Sequence, residues 1–373
     1  MRARRLGVSA ALVDGVLLPG DVALADGRVA EVGLPPARGD RIAAPGLVDL
    51  QVNGFAGVDL VASGPDELRE LARALTRHGV TAFLPTLITG PAADTATALD
   101  ALDGLIRLAD LAGARPLGVH LEGPFLAPRR LGTHPAAHRR DPDASTLAAW
   151  RGRAPVVAVT LAPELPGALD LVRALSADGV LVSVGHSDAT AEQAHAAFDA
   201  GARTVTHVFN ASSPLHHRAP GVPGAALSRR DVTVQLVVDG HHLHPDVVRL
   251  IWAAAPGRTV LVTDATAPSG RPDGHYALAG MPVQVHAGAV RNGAGGLAGS
   301  ALSLDAAVRN VHALSVDLAD ALSAASERPA RLVGRLDLGR LAPGAVADVV
   351  VFDDALRVER TFLAGSEQEA MAG

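Results

Sequence analysis

Eight apolar runs of strand length, spread through the middle of the chain and separated by segments of helical period, limit its fold more than any other feature. They are Gly46 to Val52, Thr81 to Leu87, Leu117 to Leu121, Val156 to Leu161, Val180 to Val184, Thr204 to Val208, Val232 to Val238 and Thr259 to Thr263. Helical patterns fall between them, for example Pro65 to His78, Ala92 to Ala112, Leu165 to Ala177, Ala189 to Ala200 and Pro245 to Ala254. Strands that alternate with helices imply βα units and a parallel sheet. Eight units is the number that closes a barrel, so the predicted class is α/β, a (β/α)8 TIM-type barrel over residues 45–340. A doubly wound sheet is the alternative topology.

The two ends read differently. Val22 to Leu24, Arg28 to Val32 and Arg41 to Ala43 are short alternating strands broken by Gly and Pro. Near the C-terminus, Pro343-Gly344 signals a turn before the buried-strand pattern Ala347 to Phe352 and a second strand at Val358 to Leu363. Residues 1–44 and 341–373 are therefore expected to form one small β-sandwich-like domain closed by both termini.

Composition removes whole classes of chemistry. All 33 basic residues are arginine, and the 373 residues include no lysine and no cysteine. Schiff-base catalysis, a P-loop, a carboxylated-lysine metal bridge, disulfides, thiolate metal sites and a cysteine nucleophile are all excluded. A formal charge of −6 with scattered arginines and 3% aromatics lacks the basic, stacking-rich surface of a nucleic-acid binder. The apolar stretch after the basic start is broken by Asp14, Gly15 and Pro19, and no run of 18 apolar residues occurs. A cytoplasmic protein with neither nucleic-acid nor membrane partners is expected.

In a (β/α)8 barrel the active site gathers at the C-terminal ends of the strands. Six of the eight runs end in groups able to bind a ligand: Gln51-Val52-Asn53, His120-Leu121-Glu122, Gly185-His186-Ser187, His207 to Asn210, Asp239 to His242, and Asp264. Taken singly, a strand-end histidine is commonly a hydrogen-bonded structural residue and an aspartate a helix N-cap. Their convergence on one barrel mouth points instead to catalysis. Glu122, His186 and His207 offer one carboxylate and two imidazoles, which leaves a position open for water on a divalent ion. With nitrogen and oxygen donors and no thiolate, zinc is the first choice and iron(II) or another divalent ion the second. Asp264 is placed to take a proton from the activated water and return it to a leaving group. Arg218, in a loop with His216 and His217, forms a cationic cluster suited to bidentate phosphate binding.

Several strings occur in a recognisable order: His120 to Phe125, Gly132-Thr133-His134, Val184 to Ser187, Thr206 to Asn210, Ser213 to Arg218, Asp239 to His242, Val262 to Ala265 and Leu297 to Ser300. The set resembles the N-acetylglucosamine-6-phosphate deacetylases of the amidohydrolase superfamily over nearly the whole chain. That resemblance implies Glu122, His186 and His207 as metal ligands, Asp264 as catalytic acid/base, and His134 at the acetyl group and the developing oxyanion. It also implies that Thr133, Asn210, the backbone of Ala211, Arg218, His242 and the loop Leu297, Ala298, Gly299 line the sugar-phosphate site. A homodimer is implied, with Arg218 reaching a phosphate in its own or the neighbouring subunit.

Two-metal members of the superfamily carry His-x-His at the end of the first strand, where this chain has Gln51-Val52-Asn53. One metal ion per subunit is therefore expected, with Gln51 and Asn53 hydrogen-bonding the groups around it. Which of His241 and His242 faces substrate rests on motif position alone. The expected reaction is hydrolysis of N-acetylglucosamine 6-phosphate to glucosamine 6-phosphate and acetate. The galactosamine epimer, an N-acyl amino acid, and a non-catalytic binding scaffold are the alternatives.

Overall fold

The computed structural model describes residues 3–368. Its centre is a parallel barrel of β1 (Leu47–Val52), β2 (Val80–Ile88), β3 (Val119–Glu122), β4 (Val156–Leu161), β5 (Leu181–Val184), β6 (Thr204–Val205), β7 (Thr233–Leu236) and β8 (Thr259–Leu261). Each strand pairs in parallel with the next, from β1 through β8. All eight apolar runs are therefore barrel strands, which rules out the doubly wound alternative. The helices pack outside by amphipathic spacing. On Pro65–Thr76, Leu68, Leu71, Ala72 and Leu75 are buried at i, i+3, i+4 and i+7, and Glu67 accepts the Gly64 N–H at 2.9 Å to close its first turn. The helix expected over Ala92 to Ala112 ends at Ile106.

Between β8 and β1 the ladder gives way to side chains. Asp49 is fully buried there. Its Oδ2 accepts from Thr263 Oγ1 at 2.6 Å, and its Oδ1 accepts from the backbone N–H groups of Thr263 at 3.2 Å and Gln51 at 3.3 Å. Above it, a single parallel bridge joins Val52 to Ala265, and the Asn53 N–H donates to the Ala265 carbonyl at 2.7 Å. Burial pushes the Asp49 carboxyl up to about 7, against the hydrogen bonds it accepts from Thr263.

Both chain ends build one six-stranded sheet, in the order Ser366–Glu367, Val358–Leu363, Val349–Phe352, Ile42–Pro45, Ala10–Val13 and Val16–Pro19. A three-stranded sheet of Arg4–Arg5, Asp21–Ala25 and Arg28–Leu34 accompanies it. The period of two explains the unbroken run Val349–Phe352: Val349 and Val351 pack into the small core with Leu6, Val22 and Phe362, while Val350 and Phe352 join the barrel core. An antiparallel sheet of Gly274–Leu278, Met281–His286 and Ala289–Asn292, absent from the sequence expectations, follows β8 and packs Leu278, Val283 and Val290 against Ile88 and Ala298. Among the described residues, no helix is long and apolar enough to cross a membrane.

Candidate metal centre and active site

The polar residues past the strands converge on the C-terminal mouth of the barrel. Backbone strain accompanies them: His186 (φ 48°), His207 (φ 28°) and Asp264 (φ 51°) are all left-handed. For non-glycine residues this costs about 1–3 kcal/mol and persists only where the surroundings enforce it. Gly185, just before His186, packs where no side chain would fit, since a Cβ there would lie 2.7 Å from Thr160 Cγ2 and 2.9 Å from Thr206 Cβ.

Three donors meet at one point. Glu122 Oε1 lies 3.1 Å from His186 Nε2 and 3.0 Å from His207 Nε2, and the two Nε2 atoms are 3.2 Å apart. All three residues are buried. His186 Nδ1 sits 2.8 Å from the carbonyl of Arg130. A carbonyl only accepts, so Nδ1 carries the proton and Nε2 turns its lone pair inward. A tetrahedral zinc with bonds of about 2.0 Å has ligand–ligand edges of about 3.3 Å, so spacings of 3.0–3.2 Å fit a single divalent ion. Burial works against charge on Glu122, but the close contacts with His186 and His207 outweigh it and hold the carboxyl well below its ordinary range.

Asp264 stands beside this cluster, buried, with Oδ1 accepting from Asn53 Nδ2 at 2.7 Å and Gln51 Nε2 at 3.1 Å. Gln51 Nε2 also reaches Glu122 Oε1 at 3.1 Å, so one amide ties Glu122 to Asp264. Burial first, and then the Glu122 charge, push Asp264 up to about 6. His134 Nε2 lies 3.8 Å from Glu122 Oε2, and its Nδ1 accepts the Thr89 N–H at 3.2 Å. The proton is thereby fixed on Nε2, and burial pushes His134 down to about 3, so it faces the centre as a neutral donor.

Glu122, His186, His207, Asp264, His134, Asn53, Thr133, Asn210, Ala211, His242, Leu297 and Gly299 all border one cavity of about 340 Å³. His242 donates from Nδ1 to Asp239 Oδ2 at 2.7 Å, whereas His241 turns outward to the Ala287 carbonyl at 3.2 Å. Gln51 is buried behind the centre. Two residues are not brought in. Ala298 is fully buried in the apolar cluster of the extra sheet, behind Leu297. Arg218 lies on the exposed stretch 214–220, outside the cavity. Sequence reasoning missed Thr89, which sets the His134 tautomer, as well as Arg129, Arg130 and Asn292 at the cavity wall. A doublet of arginines four residues before His134 was the available signal for two of them.

The model of the amidohydrolase family matches residues 42–369. The chain belongs to the amidohydrolase family. It is 41% identical to the N-acetylgalactosamine-6-phosphate deacetylase of Escherichia coli O157:H7, with 98% of each chain covered. It is 38% identical to the N-acetylglucosamine-6-phosphate deacetylase of Vibrio furnissii, over 86% of this chain and 81% of the relative. An aspartate-to-alanine mutant of the Mycobacterium smegmatis N-acetyl-D-glucosamine-6-phosphate deacetylase, solved with N-acetyl-D-glucosamine-6-phosphate, superposes with a TM-score of 0.91 at 36% identity, covering 98% of this chain and 99% of that one. Within the amidohydrolases the chain is thus a deacetylase-family hydrolase, and its buried Glu/His/His cluster could hold a divalent metal.

Proposed function

We propose that the enzyme hydrolyses the amide of N-acetylglucosamine 6-phosphate, giving glucosamine 6-phosphate and acetate. The observation that carries this reading is the meeting of Glu122, His186 and His207 with Asp264 and His134 in one cavity. Glu122, His186 and His207 would hold one divalent ion per subunit, zinc best matching the donor set, with iron(II) next. Such an ion, when bound, brings the pKa of water toward ~7 and polarises a carbonyl. Asp264, held by Asn53 and Gln51, takes the proton of the attacking water as the hydroxyl oxygen bonds to the acetyl carbon. The His134 Nε2–H stabilises charge developing on the carbonyl oxygen. As the C–N bond breaks, Asp264 passes that proton to the departing amine. His242, Thr133, Asn210, Ala211, Leu297 and Gly299 would surround the sugar, with Ala298 supporting the loop from behind.

We further propose a cytoplasmic homodimer, in which the exposed Arg218 contributes to a phosphate site outside its own cavity. The accessory unit of this enzyme would be residues 1–44 and 341–373, and the catalytic barrel residues 45–340. A second reading, the galactosamine epimer, is favoured by the 41% identity to the Escherichia coli O157:H7 protein. Acetate release from N-acetylglucosamine, N-acetylgalactosamine and their 6-phosphates, after elemental analysis of the purified protein, tests both. Fastest turnover of the glucosamine 6-phosphate is expected. A preference for the galactosamine compound would install the second reading, and release from none of the four would remove both.

A further inference from the structure

A sugar phosphate brings a dianion into a cavity that already contains the carboxylates of Glu122 and Asp264, so its phosphate end needs cations of its own. Among the described residues, the arginines bordering the cavity are Arg129 and Arg130. Arg130 is engaged: its Nε donates to Asp188 Oδ1 at 2.8 Å and its Nη2 lies 2.7 Å from the same oxygen. Its carbonyl meanwhile receives His186 Nδ1–H at 2.8 Å, which anchors the loop on a metal-ligand side chain. Arg129 is different. It comes no nearer than 3.6 Å to Asp188 Oδ2, and its side chain is 84% exposed. The result is a guanidinium with a fixed base and a free head at the cavity wall. Glu164, the other carboxylate of this corner, is occupied by the Ser187 hydroxyl at 2.8 Å and the Asp188 N–H at 2.6 Å.

We infer that Arg129 is a specificity residue, whose guanidinium pairs with the phosphate of the sugar bound in its own subunit, independently of what Arg218 supplies from outside the cavity. This rests on the sugar-phosphate reading above. Planar, bidentate pairing with phosphate oxygens is what a guanidinium does best, and one not already saturated by a carboxylate is available for it.

The test compares kcat/KM for N-acetylglucosamine 6-phosphate and for N-acetylglucosamine in the parent, Arg129→Ala, Arg129→Lys and Arg218→Ala. Hydrogen bonds to a charged group lead us to expect that Arg129→Ala lowers the preference for the phosphorylated sugar by about 10- to 100-fold. Activity on the unphosphorylated sugar should stay within about twofold, which also shows that the variant is folded. Arg129→Lys should recover part of the preference, since charge returns without the fork. A parent preference that survives intact in Arg129→Ala overturns this inference alone. A parent enzyme indifferent to the phosphate overturns the sugar-phosphate reading and this inference with it.

Discussion

Replacing Asp264 with asparagine isolates proton transfer from architecture. Asp264 Oδ1 accepts from Asn53 Nδ2 at 2.7 Å and from Gln51 Nε2 at 3.1 Å. The amide oxygen of the variant can take both hydrogen bonds, leaving its NH2 where Oδ2 stood, so fold and metal content should survive. General acid–base catalysis is worth about 10² to 10⁴ in rate, or roughly 2.7 to 5.5 kcal/mol of barrier. We expect Asp264→Asn to lose kcat by that amount. The pH profile supplies a second readout. In the proposed mechanism the base is the ionised carboxylate, so kcat/KM should fall as pH drops through its pKa. Burial raises that pKa to about 6, and a cation on the three ligands would draw it down again, placing the acid limb at or below pH 6. The limb should vanish in the variant. Acetate release followed from pH 5 to 9, with elemental analysis of both proteins, decides it. A variant within about fivefold of the parent, or one that keeps the acid limb, would show that the proton travels by another route.

Elemental analysis should return about one divalent ion per chain, and His186→Ala should lose both ion and activity, because a three-ligand site cannot spare an imidazole. The parent should be stabilised by about 2.7 kcal/mol when free metal is 100 times its dissociation constant, an increment absent from His186→Ala in denaturant titrations. His134→Ala should keep its metal and lose about 10²- to 10³-fold in kcat, as for one donor to a developing oxyanion; a loss below tenfold would remove it from that role. Far from the site, buried Asp21 accepts the backbone N–H groups of Gly7 at 3.0 Å, Val8 at 3.1 Å and Val22 at 2.8 Å. Asp21→Ala strands those donors and should cost about 2 to 4 kcal/mol in urea unfolding while the kcat of the folded protein stays unchanged.

The barrel was legible because its strands are apolar on both faces and its helices have clear period. Val156–Leu161 carries the same bounds in sequence and structure. The clustering of the site residues was legible for a related reason: the barrel sends whatever follows each strand to one mouth, so Glu122, His186, His207 and Asp264 need only end their strands to meet. What escaped was set by tertiary contacts with no local signature. The sheet of residues 274–292 alternates buried and exposed positions in Met281–His286, a strand pattern, but it lies after the eighth run, where a barrel model has no need of another strand. Ala298 shares a motif with Leu297 and Gly299, which do border the cavity, and Arg218 follows Asn210 and Ala211 by only a few residues; nearness along the chain does not give the direction of a side chain. His241 and His242 show this most sharply. Adjacent and identical in type, they part because the Asp239 carboxylate binds one ring and the Ala287 carbonyl the other.

The seam of the barrel and the proposed base are one structure. Between β8 and β1 the regular backbone ladder stops, and Asp49 crosses the gap with two hydrogen bonds from Thr263 while it also accepts the Gln51 N–H of its own strand. Thr263 Oγ1 then accepts the Ala265 N–H at 3.1 Å, so the residues on both sides of Asp264 are held while Asp264 itself adopts φ 51°. From the other side, Ser300 donates its hydroxyl to the Thr263 carbonyl at 2.6 Å and its N–H to the Asp264 carbonyl at 2.8 Å. A Cβ on Gly299 would stand 2.8 Å from that same carbonyl, so the loop can approach only because the position is glycine. A regular ladder at this seam would keep residue 264 in an extended conformation, its side chain alternating with its neighbours. Interrupting the ladder frees one residue to take the left-handed turn, and Gln51 and Asn53 at the end of β1 are then the partners within reach of its carboxylate. The seam where backbone pairing shrinks to the one bridge of Val52 to Ala265 is therefore where the proposed base sits.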